Sequence, residues 1–200
     1  MKHTGRAAAL SVVFAAALFS LAAVPVARAD ADAGRQKAAP CAACHGPEGN
    51  SANPAVPSLA GQPAQFITMQ LFQFREGNRK NEQMTPMAAN LSNADMNDLA
   101  AYFSALKPAP PARQASAEHA AAAPALTKKY NCVQCHGPAL VGQQHIPRLA
   151  GQQLDYLRAQ LRGFKAQTRA DIDGIMTSAA QPLTEADIEA LADYLSALPR

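Results

Sequence analysis

Three kinds of hydrophobic pattern follow one another along the chain. Ala7 to Val26 is nearly all apolar after a basic start at Lys2 and Arg6, and Ala27-Arg28-Ala29 follows as a small-x-small triplet. From Asp30 onward apolar residues instead recur at helical intervals. Gln62 to Phe74 carries Phe66, Met69, Leu71 and Phe74, and Gln152 to Phe164 carries Tyr156, Leu157, Leu161 and Phe164. Ser92 with Asp95, and Thr184 with Asp187, have the Ser/Thr-x-x-acid spacing that starts a helix, so a terminal helix is predicted after each. No run alternates with the period of a strand, and the expected class is all-α. The third pattern is an absence. Pro108 to Pro124 has four prolines and no large apolar residue, which predicts a semi-extended linker with nothing to bury.

The segments on either side of that linker are copies of one another. Pro57-Ser58-Leu59-Ala60-Gly61-Gln62 recurs as Pro147-Arg148-Leu149-Ala150-Gly151-Gln152, and Gln70 to Arg75 recurs as Gln160 to Lys165. Leu99 to Leu106 recurs as Leu191 to Leu198. A doubled gene segment accounts for this, and it divides the chain into residues 1–29, a first unit 30–107, the linker 108–124 and a second unit 125–200. Units of roughly 75 residues sit near the lower limit of what a lone hydrophobic core supports.

Residues 1–29 read as an export signal removed near Ala29. The apolar run approaches the ~20 residues that span a bilayer, but its alanines, Pro25 and the cleavage triplet favour removal. Lys2, Arg6 and Arg28 account for the whole formal excess of +3, so 15 basic and 15 acidic side chains remain from Asp30 onward. That balance leaves no nucleic-acid footprint.

All four cysteines lie in Cys41-Ala42-Ala43-Cys44-His45 and Cys132-Val133-Gln134-Cys135-His136. Cys-x-x-Cys-His is the pattern of covalent haem c attachment: two thiols one turn apart add to the vinyl groups, and the next residue offers an imidazole to the iron. Disulfides, a zinc site and a thioredoxin-like redox pair each leave the repeated histidine unexplained. Two haem c groups are expected, held by Cys41, Cys44, Cys132 and Cys135, with His45 and His136 as axial ligands. Each would give its unit the apolar core that its length withholds.

A second axial ligand is offered at matching places. Met84 and Met176 each stand 18 residues before a tyrosine, Tyr102 and Tyr194, and this register selects Met84 over Met87. A thioether opposite histidine raises the reduction potential and leaves no open iron position. Met69 and Met96 read as core filler. Pro57 and Pro147 are either carbonyl acceptors that orient the two histidines or plain turn residues. Arg79 and Arg169 are either bidentate partners of haem propionates or solvated. Arg158, Arg162, Lys165 and Arg169 fall on one helical face of the second unit alone. They would dock an acidic partner, face the neighbouring propionates, or be a solvated surface. His145 reads as a surface histidine on the His136 side of the haem, and His119 as a linker residue without a partner.

These motifs resemble the dihaem cytochrome c4 family, two class I cytochrome c folds in tandem. The resemblance rests on the paired Cys-x-x-Cys-His, the Pro-x-Leu-Ala-Gly-Gln repeat, Met84 and Met176 before Leu91-Ser92 and Leu183-Thr184, and the Leu99 and Leu191 segments. It implies a periplasmic electron carrier between a quinol-oxidising complex and a terminal oxidase, loosely associated with the membrane and no enzyme in its own right. The same module serves as cytochrome subunit of sulfide- or alcohol-oxidising dehydrogenases, and a dihaem peroxidase is the more distant alternative. In this fold a glycine lets the first helix approach the last. Gly34 has that place seven residues before Cys41, Ala125 stands there in the second unit, and looser packing is expected of it. The loop after His136 is one residue shorter than its counterpart and lacks Gly49-Asn50.

Overall fold

Both terminal helices begin at the predicted caps in the computed structural model, which describes Met1 and residues 29–199. The export-signal reading therefore falls almost wholly outside the described residues. Helix α5, Asn93–Ala105, follows Ser92, whose hydroxyl accepts from the Asp95 N–H while the Asp95 carboxylate accepts from the Ser92 N–H. Thr184 and Asp187 repeat the arrangement ahead of α10, Glu185–Ala197.

The first unit continues this logic with α1, Ala31–Lys37, α2, Ala42–His45, α3, Ala64–Arg75, and α4, Met84–Ala88. The second has α6, Ala117–Lys129, α7, Cys132–His136, α8, Leu154–Lys165, and α9, Ile175–Ala180. In each unit the first and middle helices pack on the terminal helix, and the short helix after the middle one packs back on it. No strand forms among the described residues; Gln143 and Ile146 make one isolated bridge. No helix among them is long and apolar enough to cross a membrane.

Each unit has its own core. Ile67, Leu99, Ala100 and Phe103 centre the first, and Leu157, Phe164, Ile188, Leu191 and Leu195 the second. On α3 the buried positions are Ile67, Gln73 and Phe74, whereas Phe66, Met69 and Leu71 are only half-buried. Met96 is 2% exposed and fills the core as expected.

Helix α1 crosses α5 at Gly34, where an added Cβ would strike the Asp98 carbonyl and come within 2.8 Å of Tyr102 Cβ. In the second unit the residue at the crossing is Ala123, fully buried on α6, and Ala125 is exposed. The expected register is thus corrected by two residues. Gly34 and Ala38 are buried four apart in the first unit, as Ala123 and Thr127 are in the second. Cys132 follows Ala123 by nine residues where Cys41 follows Gly34 by seven, and the additional length lies within α6, so the exposed Ala125 does not bear on the crossing.

A second substitution compensates the altered loop after the haem motif. Gly49 (φ 69°) and Leu140 (φ 58°) both take the left-handed conformation. Each carbonyl receives two N–H groups, from Leu59 and Ala60 or from Leu149 and Ala150. A Cβ on Gly49 would lie 2.9 Å from the Phe103 ring. The second unit has the smaller Leu195 in place of Phe103, and the Leu140 side chain is buried there at 3% exposure.

The linker prediction is corrected over residues 117–124, which form the first half of α6. Ser116 caps it by accepting from the His119 N–H. Alanines and an early Glu118 then favour helix strongly enough to carry Pro124, which has no N–H to return to the Ala120 carbonyl. His119, expected to be unpartnered, lies 2.8 Å from the Asp193 carboxylate, which also accepts the Ser116 N–H and pairs with Arg113. At the other end the Asn50 side chain accepts from the Ala109 N–H at 2.7 Å.

Candidate haem sites

Local helix geometry gathers each set of thiols and imidazole. Cys41 closes a 3-10 turn, Ala39–Cys41, that runs into α2 with Cys44 and His45, while α7 holds Cys132, Cys135 and His136 by itself. The four cysteines are not joined to one another. Burial pushes the Cys41 and Cys132 thiols up, which disfavours the thiolate that a zinc site needs. No group of three or more His, Cys, Asp or Glu converges among the described residues.

Both imidazoles are buried, and each Nδ1 lies 2.8 Å from a prolyl carbonyl, Pro57 for His45 and Pro147 for His136. A carbonyl only accepts, so Nδ1 carries the proton and the Nε2 lone pair is left without a hydrogen-bond partner. Burial lowers the pKa of both histidines, against a smaller opposing effect of the carbonyls, and keeps them neutral. A neutral imidazole of fixed tautomer is the state a haem iron binds.

Met84 opens α4 and Met176 lies in the first turn of α9, both half-buried, while Met87 is 48% exposed. Side-chain oxygens hold both backbones, Asn81 accepting from the Met84 N–H at 2.8 Å and Asp171 from the Met176 N–H at 2.7 Å. Thiol pairs, a neutral imidazole and a soft thioether in each unit fit haem c.

The two units meet through the segments that follow the haem motifs. Gln62 donates to the Arg148 carbonyl at 3.0 Å and accepts from its N–H at 2.9 Å. Gln152 reciprocates on Ser58 at 2.9 and 2.8 Å. The Tyr156 N–H donates to the Pro54 carbonyl at 2.9 Å.

Arg79 and Arg169 also lie in this interface. Arg79 donates to Gln70, Gln160 and the Tyr156 hydroxyl, and Arg169 donates to Gln160 and Gln70. They stack on Phe74 and Phe164 at 4.5 and 4.4 Å. Burial brings Arg169 down to about 10. Burial raises the Tyr156 hydroxyl, but the two guanidiniums outweigh it and hold the group at about 8. Arg169 Nε is buried without a partner. Neither arginine is solvated in the manner of the surface alternative.

The basic stripe does not survive as one face. Arg158 pairs with Asp155 and Glu189, Arg162 with Glu185 and Glu189, and Lys165 donates to the Gln181 carbonyl. Glu185 and Glu189 of α10 neutralise Arg158 and Arg162, and Arg169 lies beyond the end of α8 in the interface. His145 is on the surface as expected, 3.9 Å from Asp173. Sequence reasoning missed the roles of Gln62, Gln152, Gln70, Gln160 and Tyr156. The repeated glutamines were visible, but their partners lie in the opposite unit, beyond the reach of any local spacing.

The Cytochrome c family model matches residues 31–107 and again 120–199. Cytochrome c4 of Thiocapsa roseopersicina is 41% identical over 84% of this chain and 93% of its own length. The thiosulfate dehydrogenase electron acceptor of Thiomonas intermedia is 37% identical over 100% of this chain and 92% of its own. Reduced cytochrome c4 from Pseudomonas stutzeri superposes with a TM-score of 0.79 at 36% identity, covering 84% of this chain and 98% of that one. With both halves matching one haem-protein family and most of its length aligned to tandem relatives, the chain belongs to the dihaem cytochrome c4 family of electron carriers and carries two covalently bound haem c groups.

Proposed function

We propose that the protein is an exported, periplasmic one-electron carrier with two sealed His/Met centres. Cys41 and Cys44, and Cys132 and Cys135, would form the thioether links; His45 with Met84, and His136 with Met176, would hold the iron. Pro57 and Pro147 orient the histidines. Arg79 and Arg169 are the candidate donors to the propionates; their terminal nitrogens donate to Gln70, Gln160 and Tyr156, and the Arg169 Nε is buried without a partner. The haem iron supplies the one-electron couple. The observations that carry the reading are the presence, in each unit, of a buried neutral imidazole held by a prolyl carbonyl and of a half-buried methionine on an anchored backbone. With both a histidine and a methionine bound, the iron would have no position left for substrate, which is the ground for reading the protein as a carrier rather than a peroxidase or another enzyme.

The physiological partners follow two readings. A quinol-oxidising complex as donor and a terminal oxidase as acceptor, with loose membrane association, is the first. The full-length similarity to a thiosulfate dehydrogenase electron acceptor favours a periplasmic dehydrogenase as donor in the second. Anaerobic stopped-flow reduction by each purified donor separates the two.

The ligand set is tested in the ferric spectrum, where methionine-to-iron charge transfer gives a weak band at the red edge of the visible range. Intensity for two haems, halved in Met84→Ala and in Met176→Ala and unchanged in Met87→Ala, is expected. A high-spin signal in the parent protein that shifts with cyanide or peroxide would overturn the sealed-carrier reading.

A further inference from the structure

The peptide group between Pro57 and Ser58 is engaged on both edges by different units. Its carbonyl accepts from His45 Nδ1 at 2.8 Å, and its N–H donates to Gln152 Oε1 at 2.8 Å. The peptide between Pro147 and Arg148 mirrors it, accepting from His136 at 2.8 Å and donating to Gln62 Oε1 at 2.9 Å. Each glutamine adds a second bond, Nε2 to the Ser58 or Arg148 carbonyl, which fixes the plane of its amide. Gln62 is 3% exposed and Gln152 5%, so water does not replace these bonds.

A peptide is planar and conjugated. Donation by its N–H polarises its C=O and makes the oxygen a stronger acceptor. The acceptor on Nδ1 in turn sets the orientation and basicity of a metal-ligating imidazole. We propose that Gln62 and Gln152 are positioning residues acting across the interface: Gln152 tunes the His45 haem of the first unit, and Gln62 tunes the His136 haem of the second. Each unit therefore controls the other's centre. Removing a glutamine amide weakens the far carbonyl and lowers the basicity of the far imidazole. Ferrous iron is then favoured, and the potential of that haem rises.

The proposal rests on His45 and His136 being the iron ligands. The test uses the full-length ferrous holoprotein with isotopically labelled histidine, in which the two Nδ1–H proton signals report the strength of the two bonds. Gln152→Leu is expected to move the His45 signal upfield and leave that of His136 in place, and Gln62→Leu to do the reverse. Spectroelectrochemical titration of the same variants should show one of the two potentials raised, a different one in each. Gln152→Glu and Gln62→Glu at mildly acid pH, where a protonated carboxyl makes both bonds, should keep the parent signals; these variants also serve if the leucine variants do not fold. Shifts confined to the histidine of the substituted unit, equal shifts of both, or none would overturn the clamp. Absence of low-spin haem bands in the parent protein would instead mark failure of the ligand reading beneath it.

Discussion

Leu140 is a large residue in a conformation that costs an L-amino acid about 1–2 kcal/mol, and its buried side chain more than offsets that cost. Gly49 occupies the same place in the first unit because Phe103 fills the volume that Leu140 needs. Gly49→Leu should therefore destabilise the protein by roughly 2–4 kcal/mol, and adding Phe103→Leu should recover about 1–2 kcal/mol of it. Thermal melting of the single and double variants checks this; strict additivity would refute the pairing. At this scale the two haem motifs were readable because each depends on short spacing. The shorter loop after His136 was readable as well. Its compensation was not, since residues 140 and 195 are joined only by the fold. His119 was misread for the same reason, Asp193 being 74 residues away.

Helix crossings explain the next level of difference between the copies. Gly34 is required where α1 meets the Asp98 carbonyl, so Gly34→Ala should cost the first unit about 1–3 kcal/mol or more. Ala123 already carries a Cβ at its crossing, and Ala123→Gly should cost the second unit only about 1 kcal/mol. Melting curves of the two variants provide the comparison, and equal losses would contradict it. The middle and terminal helices were legible from caps and periodicity. The first half of α6 was not, because Pro124 and the lack of large apolar residues resemble a linker, while Ser116 and the alanines act as a cap and good helix formers. The basic stripe misled in the opposite sense. Its spacing was real, but the carboxylates that pair with Arg158 and Arg162 are on α10, and Arg169 lies past the end of the helix on which the angle was drawn.

For the molecule as a whole, the connection between units is anchored at both ends, by Asn50 at Ala109 and by Asp193 at Arg113, Ser116 and His119. Burial raises the Asp193 carboxyl, but the Ser116 N–H, His119 and Arg113 together outweigh this and hold it at about 2, below the ordinary ~3.9. A depressed carboxyl contributes stability that is complete above pH ~4 and is lost as pH falls from there through about 2. Acid unfolding of the second unit should show this loss, and Asp193→Asn should flatten it over that range. The same anchor shields the bond after Arg113, so trypsin should cut there faster in Asp193→Ala than in the parent. Unchanged cleavage would mean that the linker is held by something else. The tandem plan was plain in the sequence, whereas the contacts between units pair residues about 80 to 100 positions apart, so local spacing did not reveal the partners. Those contacts bear on how two copies of one gene can drift. Gln62 and Gln152 bond only main-chain atoms of residues 148 and 58, while the buried Ser58 and Arg148 side chains make bonds of their own, Ser58 accepting from the Ser51 N–H and Arg148 donating to the Ala60 carbonyl. On the proposal above, a change of either glutamine in one copy is felt at the haem of the other. Neither half is then replaceable by an unrelated cytochrome domain without disturbing the half that remains, because each supplies the amide that holds the other's peptide.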